Sequence, residues 1–259
     1  MPVCLFFLVL HTHHSPTDTT HEKFPTVDYI PMDYFTETKT IYGRVEKVID
    51  GDTLRVTHCP TYFTCPDLPP KTPLSEATLS IRLYGIDCPE LQKKKNDPPS
   101  QPYAKQAKDY TSTVTLDKTI QLKLLKKDQY GRAVSKITNY GGAPTNDLSL
   151  DLLSRGYALM YTGSGAVYDG DENKQVFKQI QQIAKSSKVG MWSLGDDMMT
   201  PAEYKRMYKN QQKQQNGQQQ VPTALATTTT ATNPAVPVPI PAVPAPAVVP
   251  GGTQVPTTP

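Results

Sequence analysis

The chain has 259 residues, enough for one or two domains, and its formal net charge is +3. Its basic residues are concentrated in the segment 39–210, where 25 Lys and Arg face 19 Asp and Glu, whereas residues 221–259 carry no charge. A moderately basic domain suits a polyanionic partner, although many basic domains bind none. The four cysteines form no C-x-x-C pair, which argues against a zinc site.

Residues 1–38 lack the periodicity of a helix or strand, and we predict an irregular lead-in. Its apolar run, residues 3–10, is far too short to span a bilayer. The run is similar to the core of a signal peptide, but no basic residue precedes it and no clear cleavage site follows. We therefore expect a secreted or endomembrane protein if the run is a true leader, and a cytoplasmic one otherwise. His11, His13 and His14 could bind metal weakly, but a solvated cluster is the better interpretation.

Alternating apolar residues and β-rich composition predict five strands. The hairpin signal is strongest at Asp50-Gly51-Asp52, because Asp-Gly between two β-rich segments favours a tight turn. The predicted strands are residues 41–49, 53–57, 79–84, 120–124 and 133–138.

Helical spacing first occurs after Pro102, where Tyr103, Ala107, Tyr110 and Val114 fall on one stripe. A second helix is expected from a cap at Asn146 to Gly156, and a third around residues 176–184, closed by Gly190, with Trp192 packing on the core beyond it. Thr200-Pro201-Ala202-Glu203 is a capping box that begins a last short helix. Five strands with a helix after the third predict an α+β, mainly β fold, a five-stranded OB-type Greek-key barrel with three helices.

Two segments lie outside this pattern. Residues 58–77 are predicted to be an inserted loop, in which Cys59 and Cys65 could form a disulfide or remain two ordinary thiols. From residue 211 the chain is first Gln-rich and then rich in Pro, Thr and Ala, so 211–259 are predicted to be a disordered tail. The folded domain is therefore expected to span residues 39–210.

The most informative segment, residues 81–90, is I-R-L-Y-G-I-D-C-P-E. In this segment the guanidinium of Arg82 is close in sequence to the carboxylates of Asp87 and Glu90, and Pro89 ends the extended stretch. Such a group could be a structural ion pair. It could also be half of a phosphoryl-transfer site, in which the acids hold a metal and the arginine holds a phosphate.

Four segments together resemble the staphylococcal nuclease (thermonuclease) family: Asp50-Gly51-Asp52-Thr53, residues 82–90, Tyr103-Ala104-Lys105-Gln106-Ala107 and Asp128-Gln129-Tyr130-Gly131-Arg132. The likeness covers roughly residues 39–194 and is nearest to the plant calcium-dependent nuclease branch. It implies a Ca²⁺-dependent hydrolase that cleaves DNA and RNA with little sequence specificity and leaves 3′-phosphate products. It also implies a monomer that prefers single strands and needs no protein partner.

The resemblance assigns a role to each matching residue. Metal ligands would be the carboxylates of Asp52 and Asp87 and the backbone carbonyl of Cys88. Asp50 would lie just outside the metal ligands, and Thr53 beside the waters of the metal. The groups that would act on the substrate are the general base Glu90, the phosphate-binding Arg82 and Arg132, and the nucleotide-pocket tyrosines Tyr130 and Tyr161.

The chain departs from the family pattern at two points. Gln129 stands where the family often has Lys, and Tyr168 is a poor substitute for a second pocket tyrosine after Tyr161. The alternative function is a non-catalytic OB-fold module that binds nucleic acid, but such modules lose the acids that this chain retains. A further alternative makes the Pro/Thr-rich tail a surface stalk that carries the nuclease.

Overall fold

A five-stranded barrel forms the centre of the molecule, and the computed structural model describes it within residues 23–140 and 146–218. The barrel strands are β1 (Thr40–Asp50), β2 (Thr53–Cys59), β3 (Leu79–Leu83), β5 (Thr119–Lys127) and β6 (Ala133–Thr138). They close in the order β1-β2-β3-β6-β5, with β5 returning to β1. All neighbours are antiparallel except β3 and β6, which are parallel. The five predicted strands and the barrel are confirmed.

Alternation of burial, clearest in β3, β5 and β6, explains why these segments form a barrel. In β3, Leu79, Ile81 and Leu83 are buried while Ser80 and Arg82 are only partly so. Ile120, Leu122 and Leu124 of β5 are likewise fully buried. A period of two places one set of side chains inside the barrel, where burial of each large apolar side chain contributes about 1.5–3 kcal/mol.

A small second sheet lies beside the barrel, and its first strand follows β3 in the chain. It pairs β4 (Ile86–Asp87) with β7 (Leu159–Met160), in antiparallel register. Gly85 joins β3 to β4 with φ +67°, and a Cβ there would lie 2.6 Å from Phe177 Cε1. Both the backbone angle and the close approach require glycine, and they aim β4 away from the barrel.

The helices that the sequence predicts are present, with additional short ones. The α-helices are α1 (Met32–Thr36), α2 (Leu74–Ala77), α3 (Ala104–Thr115), α4 (Leu148–Ser154), α5 (Asp171–Ser186) and α6 (Pro201–Gln218). Two 3₁₀ helices cover Val27–Tyr29 and Gly190–Asp197. The predicted capping box is confirmed, because Thr200 N–H donates to Glu203 and Glu203 N–H donates to Thr200 Oγ1.

Three helix details differ from expectation. The cap of α4 is Asp147, whose side chain accepts from Ser149 N–H, and not Asn146. The helix α5 ends at Ser186, before Gly190. Met191 is the buried residue of the following 3₁₀ helix, whereas Trp192 is half-buried under Lys185.

The segment before the barrel is more ordered than the sequence suggests. Phe24, Val27, Ile30 and Phe35 are buried in the same core as the barrel residues, so the prediction of an irregular lead-in does not hold for residues 23–38. Their apolar spacing is too short and broken by prolines for a periodic signal. Residues 1–22, which contain the apolar run and the three histidines, lie outside the described residues.

At the other end, α6 continues through Gln218, past the predicted domain end at residue 210. Residues 219–259, the greater part of the predicted tail, lie outside the described residues. The structure also decides between the alternatives for the inserted loop, because Cys59 and Cys65 form a disulfide. In the described part of the chain, no helix has the length and apolar character needed to cross a membrane.

His58 couples the lead-in to the barrel. Phe24 N–H donates to its Nδ1 at 3.2 Å, and the Phe24 ring stacks on the imidazole with centroids 4.6 Å apart. Burial, aided by the charge of Lys23, lowers the pKa of His58 from 6.5 to about 4.

In the unfolded chain His58 therefore becomes protonated below about pH 6.5, whereas in the folded chain it stays neutral down to about pH 4. We predict that this stabilisation, at most about 3 kcal/mol, is complete above pH 6.5 and is lost as the pH falls towards 4. The test is urea unfolding at several pH values for the natural chain and His58→Asn. The variant should show a shallower loss of stability in this window, and equal slopes would contradict the prediction.

Candidate active site

Arg82 lies between two buried carboxylates at the end of β3. The register pairs Arg82 with Thr53, which places it beside Asp52 in the β1–β2 turn. Its Nη1 donates to Asp52 Oδ1, and its Nη2 donates to Asp87 Oδ1 at 2.6 Å and to the Ile86 carbonyl at 3.0 Å. One planar guanidinium thus joins the turn, β3 and β4 in a way that a single ammonium could not.

The turn that carries Asp52 is held by close packing and hydrogen bonds. Thr111 of α3 donates to the Gly51 carbonyl at 2.8 Å, and a Cβ on Gly51 would lie 2.7 Å from Cys88 Sγ. The second carboxylate oxygen of Asp52 accepts from Cys88 N–H at 2.8 Å, while Thr53 Oγ1 donates to the first at 3.1 Å. The predicted residues Asp52, Thr53, Asp87 and Cys88 are therefore brought together.

The cluster has more negative than positive charge. The Asp52 side chain is 3% exposed, and Asp87 is 10% exposed. Burial, with the nearby charges of Asp50 and Asp87, raises the pKa of Asp52 to about 7, against the lowering effect of Arg82. Burial alone would lower the pKa of Arg82, but the two carboxylates raise it above its ordinary value. Lys93 Nζ, 2.6 Å from Asp50 Oδ2, supplies a second cation at the edge.

This donor set fits a hard cation such as Ca²⁺. Carboxylate and carbonyl oxygens are its usual ligands, and a cation would favour the charged form of Asp52, whose pKa is raised by burial and by the neighbouring carboxylates. Within residues 23–140 and 146–218, no three Asp, Glu, His or Cys side chains converge as a ligand set. A bound cation would therefore need backbone carbonyls or waters in addition to Asp52 and Asp87.

Glu90 lies on the loop after Pro89 and is held from two directions. Its backbone N–H donates to Gln101 Oε1 at 2.8 Å, and Gln101 Nε2 donates onward to the Met199 carbonyl at 3.1 Å. Its carboxylate accepts from Lys205 Nζ of α6, 2.7 Å from Oε1. The side chain remains 31% exposed, so the carboxylate is reachable from solvent.

The loop after β5 presents Arg132 and Tyr130. Asp128 accepts from Tyr130 N–H at 2.8 Å, from Arg132 N–H at 2.9 Å and from Arg132 Nε at 2.7 Å. Despite burial, these bonds hold the pKa of Asp128 below its ordinary value. Gly131 adopts φ +73° at the turn. Tyr130 is 74% exposed, and the partly exposed Arg132 guanidinium lies 5.3 Å above its ring.

Tyr161 comes directly after β7 and lies beside the strand of Asp87. Its N–H donates to the Gly85 carbonyl at 2.9 Å, and its hydroxyl donates to the Ser164 carbonyl at 3.3 Å. Tyr168 is buried against Phe177, and its hydroxyl donates to the Tyr161 carbonyl. Tyr168 therefore supports Tyr161 and does not act as a second solvent-facing tyrosine.

Sequence reasoning missed the residues that hold Glu90. Lys205 is far from Glu90 in the chain, and Gln101 lies outside any recognised motif. A lone Lys or Gln in a sequence gives no signal of such a contact. Asp128 was within a recognised motif, but its role in holding Arg132 follows only from the structure.

The chain is similar to known proteins over most of its described part. The family model described as "Staphylococcal nuclease homologue" matches residues 80–194. The endonuclease Htp3 of Saprolegnia parasitica is 39% identical over 184 residues, which cover 71% of this chain and 84% of that protein. The chain belongs to the staphylococcal nuclease family.

Two further relatives of this nuclease-family chain carry the name probable endonuclease LCL3. The protein of Schizophyllum commune is 33% identical, covering 72% of this chain and 67% of that one. The protein of Komagataella phaffii is 32% identical, covering 72% and 83%. The closer likeness to plant calcium-dependent nucleases stays a prediction. The family model ends before α6, so Lys205 belongs to a segment beyond it.

Replacing Arg82 by Lys should destabilise this nuclease-family domain. One ammonium cannot donate to Asp52, Asp87 and the Ile86 carbonyl together, so a buried carboxylate loses its partner at a cost of about 2–3 kcal/mol. The measurement is urea unfolding without added metal, with the exposed Arg206→Lys on α6 as the matched control. The control should change stability by less than about 0.5 kcal/mol. Equal effects would show that the bridging geometry is unimportant.

Proposed function

We propose that the protein is a Ca²⁺-dependent endonuclease that hydrolyses phosphodiester bonds of DNA and RNA with little sequence specificity. The observation that carries the proposal is the arrangement of Arg82 between Asp52 and Asp87, with excess negative charge and with Glu90 three residues further along the chain. The names of the relatives, endonuclease Htp3 and probable endonuclease LCL3, point to the same activity.

The cation site would be formed by the carboxylates of Asp52 and Asp87 and the backbone carbonyl of Cys88. When bound, Ca²⁺ supplies a charge that neutralises the phosphate and an orienting field for the attacking water. Asp50 would lie just outside this set; it accepts from Asp52 N–H at 3.3 Å and pairs with Lys93. Thr53 orients one oxygen of Asp52 through its hydroxyl.

Glu90 would accept the proton of the attacking water. Lys205 occupies Oε1, and within the described residues Oε2 makes no hydrogen bond, so it can face a water. The Gln101 bridge fixes the backbone on which this carboxylate is carried. Because the backbone of Glu90 is already fixed, this base needs little further ordering when the substrate binds.

The two arginines and two tyrosines would bind the substrate. Arg132 presents a partly exposed guanidinium and Arg82 a more buried one, and planar forks donate to phosphate oxygens in pairs. Tyr130 offers an exposed ring on which any base can stack, and Tyr161 lies beside the strand of Asp87. Phosphate contacts and stacking carry little base information, which is why we expect little sequence specificity.

The Lys205–Glu90 ion pair is the one observation that favours the alternative, a module that binds nucleic acid without cutting it. In this pair Lys205 occupies one carboxylate oxygen of the proposed base. We favour the nuclease because Lys205 is exposed enough to move towards a phosphate, being 56% exposed.

Glu90→Gln should lower the rate of cleavage of circular single-stranded DNA by about 10²–10⁴-fold, because the amide cannot accept the water proton. Binding of the same DNA should remain within a few fold. The matched control is Glu172→Gln, which removes an exposed carboxylate from the first turn of α5.

Conversion of the circle to linear fragments by the natural chain would establish endonuclease action. Binding without any cleavage would favour the alternative module, and full turnover by Glu90→Gln would remove Glu90 from the mechanism.

A further inference from the structure

A cleft opens between α6 and the loop that follows Glu90. It has a volume of about 270 Å³, and Glu90 itself forms part of its wall. Lys93 lines it from the loop side, while Tyr204, Lys205, Tyr208 and Lys209 line it from α6. The cleft therefore adjoins the candidate active site at Glu90, and its α6 wall lies in a segment beyond the family model.

The sequence of α6 places two kinds of side chain in adjacent rows. Residues four apart lie on the same helix face, so Tyr204 and Tyr208 form one row and Lys205 and Lys209 the next. The two tyrosine rings are in contact, with centroids 4.7 Å apart. Tyr204 is buried and its hydroxyl donates to the Pro99 carbonyl, which anchors the helix to the loop.

Two of the three lysines that line the cleft are already paired with acids. Lys93 pairs with Asp50 and Lys205 pairs with Glu90, both groups of the candidate active site. Lys209 makes no ion pair with any residue in the described part of the chain, and it is exposed. The other acid that lines the cleft, Asp97, already accepts from the backbone N–H groups of Lys93 and Lys94. A polyanion entering here would meet a lysine whose charge is not offset.

We propose that this cleft binds the nucleotide next to the scissile phosphate in a single strand, with Lys209 on a backbone phosphate and Tyr208 stacked on a base. Basic side chains beside aromatic rings are the common means of holding single-stranded nucleic acid without reading its sequence. The assignment rests on the proposed nuclease function, because Glu90 defines which phosphate is scissile. It makes α6 part of the substrate-binding surface.

The test is fluorescence anisotropy of the full chain with a labelled single-stranded oligonucleotide whose phosphorothioate linkages slow cleavage. Lys209→Ala should weaken binding by about three- to tenfold and reduce the slope of log K against log salt by about 0.7, the value for one lost phosphate contact. Tyr208→Ala should weaken binding by about tenfold, and Tyr208→Phe should restore it.

The matched control is Arg206→Ala, which removes the same charge from the same helix but does not line the cleft. It should leave the salt slope unchanged. Equal slopes for Lys209→Ala and Arg206→Ala, or equal affinities for Tyr208→Ala and the natural chain, would overturn the proposal. Circular dichroism of each variant checks that α6 is retained.

Failure of the cleft and failure of the nuclease are distinguishable in this design. If the natural chain cuts DNA and the Lys209 and Tyr208 variants bind normally, only the cleft assignment is wrong. If the natural chain binds with the predicted variant pattern but does not cut, the binding site stands and the catalytic role does not.

Discussion

The ion-pair bridge of Arg82 to Asp52 and Asp87 is the interaction on which the site depends. It joins a hairpin turn, a barrel strand and a separate small sheet, and each of its carboxylates is almost inaccessible to solvent. Burial of such groups is costly unless the pairing is complete, and here two acids share one guanidinium. Burial, together with the neighbouring carboxylates of Asp50 and Asp87, raises the pKa of Asp52 to about 7.

Two glycines make that bridge geometrically possible. Gly51 lets the hairpin turn press against Cys88 and α3, while Gly85 turns the chain from β3 into β4. A side chain at either position would separate the elements that the bridge joins. The closed barrel fixes the register that places Arg82 opposite Thr53. The same few contacts therefore hold the fold together and position the candidate site.

The sequence predicted what is local, and it missed what arises from contacts between distant segments. Alternation identified the barrel strands, and Thr200 with Glu203 identified the start of α6. Propensity could not choose between Asn146 and Asp147 as a cap, since both residues suit that position. The burial of Phe24 against His58, and the Lys205–Glu90 pair, carry no periodic or motif signal because each joins segments far apart in the chain. Motif order singled out residues that the structure brings together around Arg82, but it gave no sign of the helix that contacts Glu90.

The most direct test of the account is the Ca²⁺ dependence of single-stranded DNA cleavage by the full chain, followed by excess chelator, for the natural protein and Asp87→Asn. We predict that cleavage needs Ca²⁺ and stops with chelator. We also predict that Asp87→Asn raises the half-maximal Ca²⁺ concentration by more than about tenfold, because one of two buried carboxylates is lost. Cleavage that persists in chelator, or an unchanged Ca²⁺ requirement in Asp87→Asn, would contradict the view that the Arg82 cluster is a cation site.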